Sequence, residues 1–401
     1  MLKIRGSYGL VGNDNIGGQR FPYISLIGTT SGYNWGEFGS HGIQGYRITT
    51  VGTPKLTWET AKKYNLGIDF NLFNSKLTGT VDIYKDVRDD IFMRRNHMPL
   101  TTGLADQTPM ANVGRMKATG WDGNIAFLQR IGQVDITLRA NMTYQNNEIV
   151  DRDEAANELW YKMDKGFRLN QTRGLIALGL FKDQEDIDCS PSQTGLATDG
   201  RPVLPGDIKY KDVNGDGVIT DDDYVPLGYR EMPGLQYGMG ASVQWKNLYV
   251  NVLFQGAGRR DWFVGGNGPH AFHNGMTGNI LQEMVDGNRW SPREVSGTAD
   301  TENPNADWPR LTWGNNANNN RKSTFWMKNG RYLRLKNVEV TYDLPKGFAR
   351  KMYMSNIRLG FVGENLYTWS PFKWWDPEGN NESGSNYPIS RTYSFSVQVE
   401  F

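Results

Sequence analysis

The chain has 401 residues with 44 Lys and Arg against 43 Asp and Glu, a formal charge of +1, so no polycationic nucleic-acid-binding surface is implied. Its single cysteine, Cys189, excludes an internal disulfide framework, and no Cys/His cluster offers a structural zinc site. With 47 Gly, 13 Trp, 19 Tyr and 17 Phe and no G-X-Y period, the composition is that of an all-β protein rich in turns and aromatic rings.

The first predicted strand runs through residues 2–11, and a long connection over 13–54 follows it. Tyr64, Leu66, Ile68, Phe70 and Leu72 then alternate with Asn65, Gly67, Asp69 and Asn71, which puts one face in an apolar medium and the other in a polar one. A turn at Phe73, Asn74, Ser75 and Lys76 returns the chain into Leu77, Gly79, Val81 and Ile83, so the pair reads as a hairpin. Ile125 and Phe127 lead through a turn near Arg130, Ile131 and Gly132 into Val134, Ile136, Leu138, Ala140, Met142 and Tyr144. Residues 174–182 are counted as a further strand. Met239, Ala241, Val243 and Trp245 turn at Lys246 and Asn247 into Leu248, Val250, Val252 and Phe254. Over 332–344 the apolar phase slips between Leu333/Leu335 and Val338/Val340/Tyr342, which predicts a β-bulge near Lys336 and Asn337. Ile357, Leu359 and Phe361 follow, and Tyr393, Phe395, Val397, Val399 and Phe401 are predicted to face lipid from the last strand.

This makes roughly eleven or twelve strands, several of about the 9–11 residues that cross a bilayer. No stretch approaches the ~18 apolar residues of a membrane helix. The connections are short at one end and long at the other, over 13–54, 183–233, 259–328 and 367–388. That asymmetry belongs to an antiparallel transmembrane β-barrel with long extracellular loops. A soluble β-sandwich would hide its apolar face against a second sheet and would not explain the loop lengths. The opening MLKIRGSYGLVGNDN lacks the apolar region of a secretory signal.

At this point the residues resemble the SusC/RagA-like TonB-dependent transporters of the Bacteroidetes outer membrane. The resemblance rests on LKIRGSYGLVGND at 2–14, LTWETAKKYNLGIDF at 56–70, VNGDGVI at 213–219 and NRWSP at 288–292. It continues through NPNADWPRL at 303–311, YLRLKNVEVTYDLP at 332–345 and GENLYTWSPFKWWDPE at 363–378. In that family LKIRGSYG-like strands lie inside the barrel, after a signal peptide, an accessory domain, a TonB box and a plug. The resemblance therefore implies that residues 1–401 are the C-terminal part of such a barrel, about 11–12 of about 22 strands, without plug or N-terminal signal. It further implies import of an oligosaccharide or peptide with a SusD-like surface lipoprotein, coupled to the TonB complex only through the missing N-terminal part.

The sharpest chemical motif is D-V-N-G-D-G-V-I-T-D-D-D over residues 212–223. It matches the calcium loop D-x-[DN]-x-[DN]-G, with oxygen donors expected from Asp212, Asn214, Asp216, the Val218 carbonyl and Asp223. Asp223 stands where the pattern has a bidentate Glu and is one methylene shorter. The expectation is a structural Ca2+ that stabilises an isolated loop; the competing reading is a solvated acidic turn.

Among the loop tryptophans, Trp262, Trp290, Trp374 and Trp375 are candidate contacts for substrate or lid, since flat apolar faces in a polar setting stack on sugar rings. Loop-against-loop packing and an interfacial aromatic girdle are the alternatives. His270 and His273 lack a third ligand and read as ordinary loop residues. G-L-Q-Y-G-M-G at 234–240 reads as a strand, since no helix follows. No catalytic triad, phosphate loop or activated nucleophile emerges, so the sequence does not read as an enzyme. Against the transporter stands one alternative, a calcium-stabilised soluble β-protein that binds glycans or adheres.

Overall fold

The computed structural model describes residues 1–17, 21–95, 97–98, 100–103, 108–275, 278–379 and 381–401. Ten strands form one antiparallel sheet: β1 (Leu2–Asn13), β2 (Glu59–Leu72), β3 (Leu77–Arg94), β4 (Met110–Ile131), β5 (Val134–Asp151), β6 (Leu235–Trp245), β7 (Leu248–Gly258), β8 (Tyr332–Asp343), β9 (Asn356–Trp369) and β10 (Thr392–Glu400). Each pairs with its successor, so spatial order follows the sequence from β1 to β10. In this meander the turns after β2, β4 and β6 are two to four residues long and the other connections are longer. In the turn after β2, Phe73, Asn74 and Ser75 all take positive φ, which reverses the chain within four residues. The turns after β4 and β6 use positive φ at Gly132 and Lys246 in the same way.

The registers put the alternating residues on opposite faces. Leu66, Ile83, Trp121, Tyr144 and Leu235 lie side by side across five strands, and Phe70, Gly79 and Ile125 align nearer the turns. On the other face Arg5 of β1 holds Asp69 of β2 and Asp82 of β3, each at 2.8 Å. The apolar face is uncovered: Leu66, Ile83, Leu138, Phe395 and Val397 are all exposed. The remaining sheets have two strands each, and no second sheet packs on this face among the described residues. The soluble sandwich is thereby excluded, because exposure of this extent is stable only in lipid. Along β5 the outward residues are apolar from Val134 to Tyr144 and turn polar at Asn146; at ~3.3 Å per residue and ~45° of tilt this band is about 25 Å tall, the height of an outer-membrane barrel's apolar belt.

The predicted bulge is present. The β7–β8 register shifts between Leu253 and Phe254, and the β8–β9 register between Leu335 and Asn337, which leaves Lys336 unpaired and restores the apolar phase beyond it. Two expectations differ. Residues 174–182 do not join the sheet; Arg173–Gly174 and Ala177–Leu180 form short strands within a loop, paired with Val225–Pro226 and Ile208–Tyr210. Leu175, Leu180 and Phe181 are buried there while Leu178 is exposed, so the apolar run serves the loop body and does not alternate as a wall strand does. The connection over 13–54 contains a hairpin, Leu26–Trp35 with His41–Thr50, whose two register shifts break the period-two signal.

The hydrophobic core lies outside the barrel wall. Leu175, Leu180, Leu196, Ile208, Tyr210, Ile219, Trp262, Phe263, Trp290, Trp308, Trp326 and Phe372 form one cluster drawn from the loops after β5, β7 and β9. Lipid solvates the wall, so only the loops must bury apolar surface internally, and they do so as one body at the loop end of the sheet.

Candidate functional site

The loop body is organised on Asp207, which is 1% exposed. Its Oδ1 lies 2.7 Å from Arg310 Nε and accepts hydrogen bonds from the amides of Asn316 (3.2 Å) and Asn319 (2.8 Å), while Oδ2 accepts from Leu204 N–H at 2.9 Å. A carboxylate this deep is tolerated only when its lone pairs are filled, and here one guanidinium and three N–H groups fill them. The Asn-rich run 315–320 supplies the rest of the network. Asn319 Oδ1 accepts from Ile208 N–H, Asn318 Nδ2 donates to the Ile208 carbonyl, and Trp326 Nε1 donates to the Asn319 carbonyl at 2.6 Å. Composition marks this run as a polar loop; its role as internal polar clasp depends on partners about 110 residues away, which no local pattern signals.

Beside this clasp opens a cleft of about 730 Å³. Its wall includes Lys182, Arg289, Trp290, Arg293, Glu302 and Arg310. Arg293 forks onto Glu302, with Nη2 to Oε2 at 2.6 Å, and this pair holds the Glu302 carboxyl below its usual range. Arg310 is committed to Asp207, and Arg289 donates to the Met284 carbonyl. The cleft thus combines one aromatic edge, hydrogen-bond donors fixed by internal partners, and an open mouth. It suits an extended polar chain with apolar faces.

The four singled-out tryptophans part ways. Trp262 and Trp290 are buried, Trp262 against Phe372 at 5.1 Å between ring centroids and under the Arg260 guanidinium. The left-handed Gly206 lets its backbone approach the Trp290 indole, where any Cβ would sit 2.3 Å from the ring. Trp290 alone of the four lines the cleft. Trp374 and Trp375 are half-buried; Trp374 stacks on Trp308 at 5.0 Å, and the Lys328 ammonium sits over its face at 5.0 Å, with burial pushing the Lys328 pKa down.

The acidic turn is highly ordered by its own backbone. Asp212 accepts from the N–H groups of Gly215 (2.6 Å) and Gly217 (2.8 Å), Asn214 from Asp216, and Asp216 from Val218. Asp223 is fully buried, and its two oxygens accept from Val213 (2.7 Å) and Thr220 (2.8 Å). Asp212, Asp216 and Asp223 do not converge as a three-carboxylate group among the described residues. Asp212, Asn214 and Asp216 retain lone pairs for a hard cation beside the Val218 carbonyl, while Asp223 closes the loop from beneath. The turn is tied to the body by Ser192, which exchanges hydrogen bonds with the backbone of Gly217 and Ile219.

His270 and His273 lie 5.8 Å apart, with His270 packed edge-on to Trp326 at 4.8 Å. Burial, then the neighbouring His273, pushes His270 down to about 4.

Comparison with known proteins agrees with this architecture. The family of TonB dependent receptor-like β-barrels matches residues 2–366. A TonB-dependent receptor of Formosa agariphila is 27% identical over the whole chain, which covers 40% of that receptor. The TonB-dependent receptor SusC of Bacteroides thetaiotaomicron is 23% identical, again over the whole chain and 37% of its own length. The solved RagAB peptide transporter superposes with a TM-score of 0.69 over the whole chain and 41% of the transporter chain, at 22% identity. The chain thus spans about 40% of the length of the relatives it matches.

Proposed function

Because the chain belongs to the TonB-dependent receptor-like β-barrel family, a family of the bacterial outer membrane, we propose that it supplies ten strands of barrel wall and the substrate-capturing loops of a nutrient importer. The observation that carries this reading is the location of the core: a rigid loop body with a 730 Å³ cleft stands at one end of a lipid-facing wall. A barrel that only anchored an adhesin would need no internally packed, Asp207-centred body there. The relatives are named as transporters and receptors, not enzymes. In the proposed cycle a SusD-like surface lipoprotein delivers an oligosaccharide or peptide to the loops, and TonB coupling drives passage through the lumen.

The cleft's fixed Arg293–Glu302 fork and its Trp290 edge favour ligands with regularly spaced polar groups, which both classes offer. Uptake of labelled oligosaccharides and peptides by cells carrying the transporter tests the proposal. Filling the cleft with Ser291→Trp should lower protonophore-sensitive uptake of one class at least tenfold without lowering surface abundance. Unchanged uptake of every class would sink it. Co-purification of a SusD-like lipoprotein in mild detergent tests the partner.

We also propose that Asp212, Asn214, Asp216 and the Val218 carbonyl hold Ca2+, with Asp223 fixing the loop that presents them. What supports this is the donor set: four oxygens on one turn whose glycines, Gly215 and Gly217, both adopt positive φ and have no neighbour within 4 Å of an added Cβ.

A further inference from the structure

Ile357 and Val399 pair across β9 and β10 in the outward row that continues through Leu359, Val397 and Phe395. Leu359, Val397 and Phe395 are exposed, as lipid-facing residues of the wall are, but Ile357 is only 6% exposed. Its cover comes from the connection over 344–355, where a short helix, Lys346–Lys351, packs on β9 with Ala349 fully buried. Leu344 N–H, just before the helix, donates to the Ile357 carbonyl at 2.9 Å. On the inward side of the same strand Arg358 stays half-exposed. The helix therefore lies against the outward side of the wall, at its short-turn end, and not across the lumen.

What this helix presents is basic and aromatic: Lys346, Phe348, Arg350, Lys351, Met352 and Tyr353 are all exposed. Tyr353 takes a φ of +60°, a left-handed backbone that glycine adopts more readily, and its ring is 93% exposed. The turn after β6 stands at the same level. Asp343 N–H donates to the Asn247 carbonyl and Asn247 Nδ2 to the Asp343 carbonyl, both at 3.0 Å, and the Lys246 ammonium lies over the exposed Trp245 ring at 5.5 Å. Four cations thus gather where the apolar rows end at Trp245, Tyr342 and Ile357. No carboxylate opposes them among the described residues: Asp343 is taken by Arg358 at 2.6 Å, and Glu400 belongs to the inward set of β10.

We propose that this belt docks anionic phospholipid of the periplasmic leaflet, the side that short barrel turns face. The phosphates sit on Lys246, Lys346, Arg350 and Lys351, with the Trp245 and Tyr353 rings at the headgroup level. Two observations select the occupant. The helix lies beside exposed Leu359 on the outward side, so whatever covers it is continuous with the lipid that covers the wall, and a periplasmic protein would first have to displace that lipid. Cations without carboxylate partners favour a headgroup of net negative charge, because a zwitterionic one brings its own cation to meet them. The inference rests on the membrane placement of the wall and is independent of what the transporter carries.

The test uses the transporter purified from outer membranes in mild detergent and native mass spectrometry as readout. The probes are phosphatidylglycerol, phosphatidylethanolamine with the same acyl chains, and inorganic phosphate. The wild-type protein should retain phosphatidylglycerol about tenfold better than phosphatidylethanolamine, and millimolar phosphate should leave that preference in place. K346Q/R350Q/K351Q should abolish the preference while keeping heat-modifiable mobility. Equal retention of both lipids by the wild-type protein would overturn the proposal without recourse to any variant. So would displacement by millimolar phosphate, which would mark a free-anion site, or an unchanged preference in the folded triple variant. In cells, a photo-crosslinker at position 353 should label phospholipid; a discrete protein adduct in its place would overturn the membrane as the occupant.

Discussion

Arg334 on β8 is 2% exposed and its Nη2 lies 2.5 Å from Asp376 Oδ1 in the loop after β9. Glu378 approaches the same guanidinium at 3.4 Å, so one wall residue on the face opposite Leu333 pins the WWDPE segment, and with it Trp374 and Trp375, onto the barrel mouth. Removing the cation strands two carboxylates in a poorly solvated place, at about 3–5 kcal/mol. Arg334→Ala should lower the temperature at which heat-modifiable mobility is lost and expose the 371–379 loop to protease. Arg334→Lys, a point charge without the fork, should rescue only part of the loss.

Asp207 is predicted to control the loop body as a unit, separately from the wall. Asp207→Ala leaves the Arg310 guanidinium and the Asn316 and Asn319 amides without their acceptor. Limited proteolysis should cut within 183–233 and 261–321 in the variant, while the wall strands, including β6 and β7 between these segments, stay resistant because lipid and backbone pairing hold them. Loss of wall and loops in a single transition would contradict this separation.

His270 makes the loop body acid-sensitive. Gly266 N–H donates to Nδ1, so the neutral ring carries its proton on Nε2. With the pKa lowered from 6.5 to about 4, the unfolded loop binds the proton more readily than the folded one. The stabilisation is complete above about pH 6.5 and is lost as pH falls toward 4, on the order of 3 kcal/mol in all. Tryptophan fluorescence should report an unfolding midpoint that drops between pH 7 and 4.5, and His270→Gln should flatten that drop.

For the acidic turn the two kinds of aspartate should behave differently. Asp216→Ala should remove calcium-dependent protease protection and leave the calcium-free protein little changed. Asp223→Ala should destabilise the loop with or without calcium, because Val213 and Thr220 N–H lose their acceptor. Identical calcium responses in wild type and Asp216→Ala would refute the proposed site.

The wall was legible in the sequence because a lipid-facing strand must write its environment residue by residue. Val134 to Tyr144 alternate with Asp135 to Thr143, and the Lys336 bulge shows as a slip in that phase. Period two is a local signal, and each hairpin turn fixes the register of its neighbour. The resemblance of motifs such as NRWSP and WWDPE named the family, but not what those residues touch. The loop body obeyed no period: in residues 174–182 Leu175, Leu180 and Phe181 are buried among loops, and the apolar run imitates a wall strand. Only the tertiary structure joined Asp207 to Arg310 and Asn319, and Arg334 to Asp376. Such contacts bring together segments tens to more than a hundred residues apart, and their energy depends on burial and partner geometry, which no residue specifies alone.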